Sequence, residues 1–214
     1  MAASNKIVDL RNLLAERFPH SRLPARASLI THIPELDRGT DGLAKGAITE
    51  LITPHLSAGS ALLIHALLQA AYHDRYFLAL IDGRDSFDPQ SLGNRLLRNL
   101  LWVRCEKAIE AVKAADLFLR DGNFPLVILD LVLNPAQELR KIPQTSWYRL
   151  QRLVEPAPTA FLILTRRSMV SSAQCKLVLE NSWTLQDLDR DNTISQLQIR
   201  VQRLHNGRQI AETG

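Results

Sequence analysis

The stretch AITELITPHLSAGSAL, residues 47–62, decides the fold class of this chain. Its first six residues, 47–52, are largely apolar and end at a turn, as in a strand that is buried in a sheet. Pro54 and Gly59 mark that turn. The apolar pattern that follows predicts a long helix over residues 58–73. These residues together predict a strand–turn–helix unit, the building block of α/β proteins.

The turn at residues 53–61 lies where many nucleoside-triphosphatases carry the phosphate-binding loop G-x-x-x-x-G-K-[ST]. One glycine of that motif remains, Gly59, and the turn contains no lysine. The lysine matters because its charge pairs with the β- and γ-phosphate oxygens. We therefore expect no bound nucleotide and no other cofactor. The residues of this vestigial loop are Thr53, Pro54, Ser57, Gly59 and Ser60.

Length and composition indicate one globular domain. The chain has 214 residues, of which 46% are hydrophobic and 22% charged, and a formal net charge of +4. That length supports one sizeable core and is short for two. The longest apolar stretch, residues 58–72, is too short to cross a bilayer, and the amino terminus has no apolar signal-like segment. We therefore expect a cytoplasmic protein without a membrane contact.

The sequence gives no indication of a metal site, and we expect none. Cys105 and Cys175 lie far apart and outside any C-x-x-C motif. His65 and His73 lie about two turns apart on the predicted long helix, but no third ligand accompanies them. Surface or helix-capping roles are therefore expected for both histidines.

Strands and helices alternate from residue 47 to residue 165. This order predicts a mostly parallel, twisted sheet with helices on both faces. One of these helices is predicted over residues 89–98, with Pro89 in its first turn. Two further strands, over residues 176–183 and 194–204, have no helix between them and predict an antiparallel extension at one sheet edge.

The amino-terminal segment predicts an amphipathic helix over residues 6–18, followed by a basic linker. Its apolar residues recur at spacings of three and four, and such a stripe must be buried against something. The stripe could be buried against the core of the same chain or against a second copy of the chain, and both alternatives are open. The predicted organisation is an N-terminal helix and linker (1–28), a core domain (29–205) and a mobile C-terminal tail (206–214).

Several stretches resemble the RecA-like recombinase core. Residues 33–37, IPELD, and 42–51, GLAKGAITEL, are similar to the segment that leads into the first core strand of that superfamily. Residues 80–89, LIDGRDSFDP, resemble its next strand end, and residues 126–130, LVILD, resemble a Walker B strand. The resemblance covers residues 29–204 and implies a degenerate member with a RecA-like α/β core.

The same resemblance shows which catalytic groups are missing. Asp82 and Asp130 match acidic strand ends of the family, but Arg84 stands at the position of its water-activating glutamate. An arginine keeps its proton at physiological pH and cannot act as a general base. Arg166 and Arg167 follow Thr165 where the family has a sensor glutamine. Because phosphoryl transfer depends on positioned charge, the resemblance implies a protein without catalytic residues.

DNA binding is expected to be weak or absent. The loops over residues 131–145 and 166–174 correspond to the DNA-binding loops of recombinases, but both are short. Arg166 and Arg167 could contact phosphates, whereas a solvated loop is the alternative interpretation. The second loop contains no aromatic residue on which a base could stack.

Among degenerate RecA-like proteins, the chain most resembles ImuA-like proteins. These are accessory partners of a Y-family polymerase homologue in bacterial damage-induced (SOS) mutagenesis and translesion synthesis. The resemblance implies a scaffold that binds a protein partner through its terminal segments and open sheet edge. The alternatives are a SulA-like inhibitor that binds the tubulin-like division protein, and a RecA paralogue with residual nucleotide or DNA binding. The candidate partner-binding residues are Ile7, Leu10, Leu14, Phe18, Leu197, Ile199 and Val201.

Overall fold

The computed structural model describes residues 27–55, 58–181 and 197–204. Its strands are β1 Ser28–Leu29, β2 Leu43–Ala44, β3 Ala47–Ile52, β4 Leu78–Asp82, β5 Leu100–Arg104, β6 Leu126–Asp130, β7 Ala160–Thr165, β8 Cys175–Leu179 and β9 Ile199–Leu204. Its helices are α1 Pro34–Thr40, α2 Ser60–His73, α3 Asn94–Leu97, α4 Ala108–Asp121, α5 Ala136–Leu139 and α6 Gln144–Val154.

Seven of the strands form one sheet in the order β5-β4-β6-β7-β3-β8-β9. Neighbouring strands from β5 to β8 run parallel, and β9 runs antiparallel to β8. β1 and β2 form a separate antiparallel pair. The predicted mostly parallel sheet with an antiparallel edge is confirmed. The antiparallel part is β9 alone, because β8 adds to β3 in parallel.

Alternate residues of the central strands supply two separate apolar cores. In β6, Leu126 and Ile128 pack on the face covered by α2, whereas Val127 and Leu129 pack on the face covered by α4 and α6. All four side chains are 0% exposed. This pattern follows from the alternation of side chains along a strand when both faces of a sheet are covered. Helices therefore lie on both faces, as the sequence predicts.

The prediction of one helix over residues 89–98 is wrong. The chain forms a 3₁₀ turn at Pro89–Ser91 and then the short helix α3. Asp88 starts the turn, because its side chain accepts a hydrogen bond from the backbone N–H of Gln90 at 2.9 Å. Gly93 then has an extended backbone, with φ −66° and ψ 143°, which interrupts the helical hydrogen-bond pattern.

One of the residues predicted to bind a partner near the carboxyl terminus is buried in the domain instead. Leu197 is only 1% exposed and belongs to the core on the α2 face, so its side chain cannot meet a partner. Ile199 and Val201 pack partly against the same core. The exposed side chains of this segment are those of Gln198, Arg200, Gln202 and Arg203. The apolar face of β9 is therefore used inside the domain.

The other predicted partner-binding residues, Ile7, Leu10, Leu14 and Phe18, lie outside the described residues. The same holds for most of the predicted N-terminal unit, 1–28, and for the tail, 206–214. Within the part of the chain that the structure describes, no helix has the length and apolar content needed to span a membrane.

Candidate functional site at the carboxyl edge of the sheet

The carboxyl ends of β3, β4, β6 and β7 meet at one edge of the sheet. The register places Ile52 beside Thr165 and Asp82 beside Asp130 at this edge. Open parallel α/β sheets bind their ligands at this edge, near the point where the strand order reverses. Thr53, which follows β3, therefore lies at the same edge of the sheet as Asp82 and Asp130.

The vestigial loop is tied to the neighbouring strand. Thr53 is fully buried, and both its backbone N–H and its hydroxyl donate to the carbonyl of Thr165, at 2.7 and 3.3 Å. Gly59 precedes α2 with φ +97°, a conformation that favours glycine. Ser60 begins the helix, and Gly59 provides no side-chain cap to it. Ser57 lies outside the described residues.

Glu50 is the most constrained charged residue near this edge. It is 0% exposed, and its Oε2 lies 2.6 Å from Nζ of Lys176 on β8. Its Oε1 accepts backbone N–H groups from Met169 at 2.7 Å and Val170 at 3.1 Å, and the hydroxyl of Thr165 at 3.1 Å. These bonds compensate the buried charge and fix the loop that follows β7. Glu50 lies within the sequence motif at residues 42–51, but that motif does not indicate that Lys176 is its ion-pair partner.

Asp82 uses its carboxylate to fold the turn after β4. It is 1% exposed, and it accepts backbone N–H groups from Ser86 and Phe87, each at 2.7 Å, and from Arg84 at 3.2 Å. The hydroxyl of Ser86 donates to it as well, at 3.2 Å. A carboxylate with this many internal donors has little capacity left for a metal or a water.

Asp130 and Asn134 join the ends of β4 and β6. Oδ1 of Asp130 accepts the N–H of Val132 at 2.9 Å, and its backbone carbonyl accepts the N–H of Gly83 at 2.9 Å. Asn134 returns a side-chain N–H to the carbonyl of Gly83 at 2.7 Å. A Cβ at position 83 would lie 2.4 Å from Oδ1 of Asn134 and 2.7 Å from the carbonyl of Asp130, so only glycine fits.

Burial raises the pKa of Asp130 against the hydrogen bond from Val132, which lowers it, and with a smaller contribution from the nearby Asp82 carboxylate the pKa is about 6. The carboxyl group is therefore partly protonated near neutral pH. A raised pKa of this kind is common at functional sites but also occurs in structural positions.

Arg84 contacts the chain segment before α4. Its Nη1 donates to the carbonyl of Glu106 at 3.0 Å and lies 3.7 Å from a carboxylate oxygen of Glu138. The side chain is 48% exposed. Arg84 is therefore a cation that is held by two neighbours within the chain.

A cleft of about 700 Å³ opens between the loops that follow β6 and β7. Three arginines line it, and none of the described residues that line it is Asp or Glu. The sequence predicts Arg166 and Arg167 as a pair, but it gives no signal that Arg140 joins them, because that contact depends on how residues 131–144 fold. The cleft is lined by Pro54, Val132, Leu133, Asn134, Pro135, Ala136, Leu139, Arg140, Ile142, Gln144, Arg166, Arg167, Ser168 and Met169.

Comparison with known proteins gives a distant similarity to RecA. The chain is 30% identical over 106 residues to the RecA proteins of Chlorobaculum tepidum and Chlorobaculum parvum. It is 29% identical over 105 residues to that of Frankia alni. Each match spans 47% of this chain and 30% of the relative, so the chain corresponds to less than a third of the length of these proteins. No protein-family model matches the chain. The fold and these matches support a RecA-like relationship.

The substitution Asp130→Asn should remove a pH-dependent part of the stability. The pKa of Asp130 in the folded protein, about 6, lies above the ordinary value of 3.8, so the folded state holds its proton more tightly. The free energy of unfolding of the wild type, relative to D130N, should therefore fall as pH rises from about 4 to about 6. We expect a change of about 1–2 kcal/mol, measured by urea unfolding at a series of pH values.

The matched control is Asn123→Ala at the exposed position two residues after α4. Because neither side chain ionises, its difference from the wild type should stay constant over the same pH range. A wild-type–D130N difference that does not vary with pH would contradict the assignment of a raised pKa to Asp130.

Proposed function

We propose that this chain is a non-catalytic RecA-like accessory protein that acts by binding a protein partner in the bacterial response to DNA damage. The proposal that the chain is non-catalytic rests on one observation: charged groups at the carboxyl edge of the sheet bind to other groups of the same chain. Glu50, Asp82 and Arg84 all have partners within the chain. A phosphoryl-transfer site needs such groups directed at the nucleotide, its metal and the attacking water.

The turn at residues 53–61 supports the same proposal. Its sequence contains no lysine or arginine. In the described part of the turn, Thr53 donates to the carbonyl of Thr165, and the carbonyl of Gly59 accepts the N–H of Leu63. A triphosphate carries several negative charges, which a helix amino terminus alone compensates only in part. The proposed protein therefore needs no nucleotide cofactor and no catalytic residue.

The partner is proposed from the resemblance to ImuA-like proteins. It would be a Y-family polymerase homologue, and the accessory role would lie in translesion synthesis. With Leu197 buried in the core, the remaining candidate contacts are the predicted amphipathic helix at residues 6–18 and the half-buried Ile199 and Val201 on β9. The same helix is a candidate for self-association.

Affinity capture from cells with damaged DNA tests this role. The wild-type chain should capture a Y-family polymerase homologue. The double variant Leu10→Ser/Leu14→Ser should capture at least tenfold less polymerase than the wild type, because it interrupts the apolar stripe. Asp9→Ser/Asn12→Ser, which changes the polar face of the same predicted helix, is the matched control and should retain it.

One result would contradict the proposed partner, and another would contradict the proposed contact. Capture of the tubulin-like division protein would favour a SulA-like inhibitor instead. Capture of the polymerase at the same level by both double variants would exclude the amino-terminal helix as the contact.

A second candidate function is weak binding of nucleic-acid phosphates. The observation that favours it is the cleft lined by Arg140, Arg166 and Arg167, with no carboxylate among its described lining residues. Arg166 and Arg167 are both exposed. Cations without an acidic neighbour attract a phosphate backbone without base specificity.

Fluorescence anisotropy with a labelled single-stranded oligonucleotide tests this candidate. The variant Arg166→Ala/Arg167→Ala should weaken binding at least tenfold at low salt, and it should reduce the slope of log affinity against log salt by about 1–2. The control Arg95→Ala/Arg98→Ala removes two exposed arginines outside the cleft. Equal losses in both variants, or no binding by the wild type, would exclude the cleft as a nucleic-acid site.

A further inference from the structure

Two imidazoles and one carboxylate meet where α2 ends, at the opposite end of that helix from the vestigial loop. His73 is the last residue of α2, Asp74 follows it, and His32 lies between β1 and α1. Oxygens of Asp74 lie 2.9 Å from Nε2 of His32 and 2.6 Å from Nδ1 of His73. One potential ligand atom from each of the three residues lies within 4.8 Å of the other two.

The backbone around His32 is firmly held. Thr31 and Ile33, on either side of it, are both 0% exposed. The N–H and hydroxyl of Thr31 donate to Oδ1 of Asp37 at 3.0 and 2.7 Å, and the N–H of Ile33 donates to the hydroxyl of Thr31 at 3.2 Å. With its neighbours buried, His32 projects its ring outward, and its side chain is 47% exposed. The imidazole therefore has a defined position and access to solvent.

His32 also has an unusual backbone conformation. Its φ is +59°, in the left-handed region that non-glycine residues seldom adopt. This conformation turns the side chain towards α2, where the ring packs edge-on against that of His73 with centroids 4.9 Å apart. Strain of this kind persists only where surrounding contacts impose it, and here the buried neighbours and Asp37 do so.

We propose that His32, His73 and Asp74 form a binding site for a zinc ion. Histidine nitrogens and a carboxylate oxygen are common zinc ligands, at about 2.0–2.2 Å from the metal. Ligand atoms of a tetrahedral site then lie about 3.4 Å apart. Side-chain rotation at this exposed site can close the present separations, and water takes the fourth position.

The chemistry of the three ligands selects a transition metal. Magnesium and calcium prefer sets of oxygen ligands, whereas imidazole suits zinc, copper and nickel. A zinc ion here would link the segment before α1 to the end of α2. Because α2 separates this site from the carboxyl edge of the sheet, its role would be to stabilise the fold and not to act on a ligand in the arginine cleft.

Ligand spacing in the sequence does not indicate this cluster. His73 lies on the same helix as His65, whose Nε2 is instead within 3.3 Å of the Gln69 amide. The second imidazole comes instead from a residue 42 positions before Asp74. The left-handed turn at His32 and the packing of α1 bring it there, and neither leaves a signal in ligand spacing.

Titration of the metal-free full chain with zinc chloride, followed by calorimetry, tests the proposal. The wild type should bind zinc with a stoichiometry of one, and His32→Asn and His73→Gln should each weaken binding at least tenfold. Asparagine is chosen at position 32 because it tolerates the left-handed backbone. The control His55→Gln removes an exposed histidine elsewhere and should bind as the wild type does.

Cobalt substitution gives a second readout. The wild type with Co²⁺ should show the intense visible absorption of a tetrahedral complex, and both ligand variants should lose it. Circular dichroism should be unchanged in each variant, since the substituted rings are exposed. Absence of saturable zinc binding by the wild type, or undiminished binding by both variants, would overturn the proposal.

Discussion

The ion pair between Glu50 and Lys176 is the interaction on which the arrangement of the carboxyl edge depends. β3 lies inside the sheet, so a carboxylate on it is removed from water and needs a compensating charge. Lys176 supplies that charge from β8, and the backbone N–H groups of Met169 and Val170 supply the remaining hydrogen bonds. Loss of one partner from such a pair costs about 3–5 kcal/mol, because the other charge stays buried. The pair therefore joins β8 to the sheet and fixes the loop after β7.

The chemical character of the cleft follows from this constraint. The loop held by Glu50 carries Arg166 and Arg167, so their backbone positions are set by a buried carboxylate on the neighbouring strand. Asp82 and Asp130 are directed to backbone N–H groups and do not line the cleft. The edge therefore presents arginine to solvent while its carboxylates stabilise turns. This distribution of charge suits contacts with an acidic partner surface or with phosphate better than it suits magnesium-dependent hydrolysis.

Local sequence patterns predicted the central sheet well, because its strands are continuous apolar runs. They also predicted the end of α4, because Gly122 follows that helix in the left-handed conformation. The prediction of one helix over residues 89–98 failed for a local reason, because the extended backbone at Gly93 divides that stretch. The other predictions failed where long-range contacts decide the structure. The alternation in β9 revealed an apolar face but not what covers it, and the core of this chain covers it. Lys176 and His32 acquire their partners only through the topology, so no motif could have connected them.

Our central proposal is that the carboxyl edge of this RecA-like sheet does not hold a nucleoside triphosphate. Thermal unfolding of the full chain with and without millimolar ATP and Mg²⁺ tests it most directly, with a salt control of equal ionic strength. Our account predicts the same Tm under all conditions. Binding at a hundredfold excess over Kd would contribute about 2.7 kcal/mol, and for a domain of this size it would raise Tm by roughly 5–10 °C. A rise of that size with ATP, and not with the salt control, would contradict the account.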